Sequence, residues 1–90
     1  MAQFTTAQFT LGTAPTLVTV RHNQGIDVTF HNAAKSSNNK IYFGGSAVST
    51  ATGIHIDADV FLQLTLSPEH QVWAISDPAG VVLEVLEQRY

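Results

Sequence analysis

Hydrophobic and polar positions alternate with a period of two along most of this chain. Residues 26–31 set Ile26, Val28 and Phe30 on one face and Asp27, Thr29 and His31 on the other, the pattern of a half-buried strand. Residues 60–66 place Val60, Leu62, Leu64 and Leu66 inward and Phe61, Gln63 and Thr65 outward. In 71–76, Val72 and Ala74 share one face and Trp73 and Ile75 the other. Residues 81–86 are apolar on both sides, with Val81, Leu83 and Val85 opposed to Val82, Glu84 and Leu86, which implies burial of both faces. Shorter strands are predicted at 16–21, where β-branched residues cluster, at 41–43 and at 54–56.

Turn chemistry separates these segments. Asn23-Gln24-Gly25 joins 16–21 to 26–31, and Asp77-Pro78-Ala79-Gly80 joins 71–76 to 81–86, so both pairs read as β-hairpins. Residues 32–39 are the most hydrophilic loop. With no helical period of useful length, the fold class is all-β: a small antiparallel β-sandwich or barrel of about seven to eight strands.

The first fifteen residues read as an N-terminal arm or edge strand, and 16–90 as a single β-sandwich domain. Residues 2–10 contain a near repeat, Ala-Gln-Phe-Thr at 2–5 and again at 7–10. In an unbroken strand the five-residue shift sends Phe4 and Phe9 to opposite faces; a bulge at 5–7 sends both to the core. Both readings stand at this level.

Residues 40–56 form the stretch around which the chain is organised. A strand ends in Gly44-Gly45, a segment of small residues follows, and Gly53 closes it. Gly44, Gly45 and Gly53 are read as structural turn positions. The double glycine is expected to break the strand, letting Val48 plug the core while the chain crosses to the next sheet.

Composition narrows the function classes. The chain is 44% hydrophobic and only 12% charged, too little charge for a disordered chain, and Thr, Ser, Asn and Gln must supply most of the solvent contact. Its four Lys and Arg residues are scattered and the net charge is −3, which argues against nucleic-acid binding by phosphate neutralisation. No apolar run approaches the ~20 residues of a membrane span, and the N-terminus has no signal-peptide pattern. The product is expected to be soluble. There is no cysteine, so neither disulfides nor cysteine-bound metals are available.

Candidate chemistry is sparse. His22, His31, His55 and His70 lie in four separate segments without metal-ligand spacing, and Asp57 with Asp59 offers fewer oxygens than a calcium loop supplies. Ser46 and Ser49 lack the Gly-x-Ser-x-Gly elbow. Glu84 and Glu87 have the residue types of a glycosidase dyad but no evident cleft. The expectation is of no catalytic residue, no metal, no cofactor and no enzymatic activity. Outward-facing aromatic residues are the stronger candidates for function: Phe4, Phe9, Tyr42, Phe61 and Trp73 are taken as interface candidates, with core burial as the alternative for Trp73.

The segment Lys40-Ile41-Tyr42-Phe43-Gly44-Gly45-Ser46-Ala47-Val48-Ser49-Thr50-Ala51-Thr52-Gly53 resembles small structural proteins of tailed bacteriophages. The acidic turn, the alternating strand at 60–66, the Val-Trp-Ala-Ile-Ser strand and the final Val-rich strand extend the resemblance over roughly residues 16–87; the Phe/Thr arm lies outside it. The resemblance implies a non-enzymatic virion protein made in the host cytoplasm. Its expected place is on the capsid surface as a decoration (cement) protein, bound to the major capsid protein as a homo-oligomer, possibly a trimer. A minor tail or head–tail protein and a receptor- or carbohydrate-binding sandwich are the alternatives.

Overall fold

The computed structural model describes residues 3–19, 25–35 and 38–89. Among them are eight strands: β1 (Gln3–Leu11), β2 (Thr16–Leu17), β3 (Ile26–Asn32), β4 (Lys40–Gly44), β5 (Ile54–Ile56), β6 (Phe61–Leu66), β7 (Trp73–Asp77) and β8 (Val81–Arg89). They form two four-stranded sheets in the orders β1-β8-β3-β6 and β2-β7-β4-β5. Each pairing is antiparallel. Eight strands in two such sheets, with the chain passing repeatedly between them, make a sandwich of the jelly-roll type. The expected all-β class and antiparallel sandwich are therefore what the chain adopts, and the described residues contain no helix.

Along β3 and β6 the alternating pattern assigns faces correctly, and of the two apolar faces of β8 one is buried while Leu86 on the other is exposed. Ile26, Val28 and Phe30 of β3 are buried, as are Val81, Leu83 and Val85 of β8 and Val72 and Ala74 at β7. Leu62, Leu64 and Leu66 of β6 pack against the same core. At its centre the Phe30 and Phe43 rings lie 4.8 Å apart and tilted by 38°, joining the two sheets. Val60, expected inward, precedes β6 and is exposed.

Strand partners differ from the expected ones. The segment at 16–17 pairs with β7, not with β3, and β3 lies between β8 and β6. Nor do β7 and β8 form a hairpin, since they belong to different sheets. Asn23 and Gln24 of the first expected turn lie outside the described residues. The second, at 77–80, is a corner between sheets; it contains a cis Asp77–Pro78 bond, and Gly80 has φ 95°. Alternation specifies which side chains face inward but not which edge a strand joins. At this corner the polar groups are satisfied by the end of β1: Gly80 N–H donates to Leu11 O at 2.7 Å and Ser76 N–H to Gly12 O at 2.9 Å.

The Ser76 hydroxyl lies 3.0 Å from Leu11 O and 2.9 Å from Pro78 O, and the residue is buried. Ser76→Ala is expected to lower stability by about 1–2 kcal/mol, because it removes the one hydroxyl proton shared by two carbonyls, of which Leu11 O keeps the Gly80 N–H and Pro78 O loses this donor. Urea denaturation checks this, with a lower midpoint and an unchanged slope as the expected result.

The first strand is unbroken. It pairs with β8 in continuous register from Gln3↔Arg89 to Leu11↔Val81, so of the two readings of Phe4 and Phe9 the opposite-face one holds. Phe9 packs against the core, as part of which Leu11 is buried, and Phe4 stays exposed.

The organising stretch also differs from expectation. β4 and β5 are neighbours in one sheet, so the segment between them does not cross to the other sheet. Neither Gly44 nor Gly45 has a positive φ. Val48 is buried, yet it stands outside the inter-sheet core cluster. It sits over Gly44 and Gly53 on the side to which Tyr42 points, where a β-carbon on Gly53 would come within 2.9 Å of both Val48 Cγ2 and Tyr42 Cβ. A small apolar residue thus folds back onto the outside of the second sheet. Three backbone bonds close this loop, Gly53 N–H to Ser49 O, Thr52 N–H to Ser49 O and Val48 N–H to Gly45 O, and the Ser49 and Thr52 hydroxyls add side-chain bonds within it.

Candidate functional site

The outer face of the first sheet is built from outward positions on four strands. Register aligns them in three rows: Gln8–Glu84–His31–Phe61, then Thr6–Leu86–Thr29–Gln63, then Phe4–Gln88–Asp27–Thr65, each read from β1 to β6. Phe4 and Phe61 are 63% and 64% exposed and Leu86 is 38% exposed. They stand among short polar side chains, and a shallow groove of about 660 Å³ runs between Thr6, Gln8, Thr29, His31, Phe61 and Leu86. A mostly neutral face with exposed Phe and Leu side chains, uncovered among the described residues, has the makings of a contact surface.

The first row sets a histidine against carboxylates. His31 Nδ1 lies 2.6 Å from Glu84 Oε1, and Nε2 lies 2.8 Å from Asp59 Oδ1. Gln8 Nε2 donates to the other oxygen of Glu84 at 3.3 Å. The Phe61 ring stacks on the imidazole, with centroids 4.1 Å apart and planes within 13°. Hydrogen bonds to Glu84 first and Asp59 second hold the His31 pKa above its ordinary value, against a smaller opposing effect of burial. The two ring nitrogens point at different carboxylates, so the three groups do not converge on one point as metal ligands would. With both nitrogens engaged, the imidazole has no free position from which to take a proton from a substrate.

The outer face of the second sheet is organised differently. Ile75, Tyr42 and His55 form one row, and Leu17, Trp73 and Gly44 another. Tyr42 tilts against His55 at 5.4 Å. Ile75 is buried although it points outward, and it lines a small hollow with Thr13, Val48, Ser49 and Thr50. The loop carrying Val48 therefore covers part of this face, while the first sheet has no such cover among the described residues.

These placements separate the five aromatic candidates. Phe4 and Phe61 share the outer face of the first sheet, on its two edge strands. Tyr42 and Trp73 are half-buried on the outside of the second, and Phe9 turns inward. Gly44 and Gly53 flank Val48, whereas Gly45 faces open space. Glu84 points outward and Glu87 is buried, so the two glutamates do not make a dyad. Asp57 and Asp59 serve different histidines, His55 at 3.7 Å and His31 at 2.8 Å. Leu86, Gln8 and the His31–Glu84–Asp59 grouping were not singled out by the sequence. Leu86 lies on a strand whose two apolar faces were both expected to be buried, whereas its own side chain is exposed; the grouping needed the strand pairing.

No protein-family profile and no curated protein sequence matches the chain. A likeness to a solved structure covers 99% of this chain and 86% of the other at a TM-score of 0.59 and 10% identity; that structure is described as Bacillus endospore appendages forming a novel family of disulfide-linked pili. At this identity the likeness shows the fold. It corrects the expectation of a bacteriophage virion protein, with its tail and receptor-binding alternatives: the solved structure that the sandwich is similar to is of a pilus, and the 40–53 motif behind the resemblance is a strand and a loop closed over Val48.

Proposed function

We propose that this chain is a structural subunit without catalytic activity that associates with further copies of itself into a pilus-like polymer. The observation that carries the reading is the uncovered outer face of the first sheet, where Phe4, Phe61 and Leu86 are exposed on one side of a weakly charged body. Fully burying an exposed phenylalanine or leucine side chain contributes about 1.5–3 kcal/mol; most of that is still available at Phe4 and Phe61 and a smaller share at Leu86, which is already largely covered. The sandwich's likeness to a pilus protein supports an assembly role over a solitary one. A face that meets a different patch on the next copy propagates, whereas a face that meets itself closes a dimer. The open edges of β1, β2, β5 and β6 offer such second patches.

One property of the neighbour does not transfer. Its pili are disulfide-linked, and this chain has no cysteine. Association here is noncovalent and reverses on dilution. The test is light scattering on the chain and on a Phe61→Ser, Leu86→Ser double variant. The Phe61 ring stacks on His31 and Leu86 is partly covered, so the variant is expected to melt a little lower, to keep its folded spectrum and to lose association at least tenfold. Equal association by the two proteins would remove this face from the account.

A further inference from the structure

His31 makes two short contacts that a neutral ring cannot satisfy together. A carboxylate only accepts hydrogen bonds, and a neutral imidazole carries one N–H; both nitrogens donate only in the imidazolium. Glu84 is anchored on β8 and further held by Gln8. Asp59 belongs to the turn before β6, has φ 61°, and its side chain is well exposed. This turn is docked on β3 by two backbone bonds, Asp59 N–H to Asn32 O and Asn32 N–H to Val60 O. When His31 loses a proton, the remaining N–H stays with the closer and better-held Glu84, and Asp59 then faces a nitrogen lone pair. The stacked Phe61 ring also loses its attraction to a cation.

We propose that His31 is a proton-dependent latch: charged, it holds the Asp59 side chain and the Phe61 ring on the outer face of the first sheet; neutral, it frees both side chains while the backbone bonds of the turn stay, so that self-association through that face weakens as the pH rises. The inference rests on the self-association reading above. The ionisable groups around the ring are Glu84 from β8 and Asp59 from the turn, and Lys35 lines the adjoining hollow with them. β1 contributes the uncharged Gln8 and β6 the uncharged Phe61. Asp57 points away, to His55. Because Glu84 and Asp59 raise the folded-state pKa of His31, the latch contributes fully below the unfolded value of about 6.5 and is lost as pH rises through the higher folded value.

The experiment follows the His31 ring and the Asp59 and Phe61 backbone amides by NMR through a pH titration, with light scattering on the same samples. The expected result is a His31 midpoint above the ordinary value, amide shifts that follow the same curve, and association that falls severalfold across that interval. Asp59→Asn keeps an oxygen acceptor but removes its charge, and is expected to move the ring titration and the association curve together to lower pH. A His31 midpoint at or below the ordinary value, or turn amides indifferent to it, overturns the latch whether or not the chain associates. A titrating latch beside association that ignores pH overturns the link alone and leaves the assembly reading standing. A titrating latch in a chain that stays monomeric at every pH overturns the assembly reading and, with it, the link.

Discussion

Phe30→Ala is expected to lower the unfolding free energy by about 3–5 kcal/mol. Phe30 is fully buried in β3, and its ring leans on Phe43 of the opposite sheet. Truncation leaves a ring-sized void where the two sheets meet, and strands held in register on both sides cannot collapse into it. A chain of 90 residues has a total stability of roughly 5–13 kcal/mol, so this one change removes between a quarter and nearly all of it. Phe30→Leu, which keeps more of the volume, should cost less. Urea denaturation of the three proteins checks the order, and a loss below about 1 kcal/mol for the alanine variant would mean the sheets are not joined at this point.

Gly53→Ala carries the second largest expected effect, a loss of about 1–3 kcal/mol through overpacking. Its new β-carbon would meet Tyr42 Cβ and Val48 Cγ2 at 2.9 Å and Ser49 O at 3.1 Å. Tyr42 Cβ and Ser49 O are fixed by the backbone of β4 and by the hydrogen-bonded loop, so little can move aside. Gly44→Ala meets only Val48, at 3.0 and 3.2 Å, and should cost less, while Gly45→Ala meets nothing within 4 Å and should be close to neutral. Thermal unfolding of the three alanine variants reads this order directly. It differs from the ranking the sequence invites, where the adjacent pair Gly44-Gly45 looks like the essential hinge.

That contrast shows what the sequence holds and what it leaves open. The faces of β3 and β6 were legible because alternation records burial, one side chain at a time; β8, apolar on both sides, was expected to be buried on both and is exposed at Leu86. Partners were not legible, since inward-facing strands of similar length fit either sheet; what separates β7 from β8 is a set of backbone bonds from 76–80 to Leu11 and Gly12, some 65 residues away in sequence. Val48 was recognised as an apolar plug, but two glycines that admit it from outside a sheet look the same in sequence as two that admit it from within. The latch was the least legible part. His31 lies 53 residues from Glu84 and 28 from Asp59, and only the sheet order brings them together. Phe61 was marked as outward from its alternation alone, and the structure supplies what the pattern lacked, the imidazole beneath it and the row of side chains beside it.

Self-association through the outer face of the first sheet is the central claim. Its most direct test is sedimentation velocity on the unaltered chain over a concentration series at mildly acid pH, with hydrogen–deuterium exchange on the same samples to locate the contact. The expected result is reversible growth beyond a dimer, accompanied by slowed exchange along the edge strands β1 and β6 and at the 57–60 turn. A chain that sediments as a monomer throughout the series, or that associates with slowed exchange confined to the second sheet, would contradict the account.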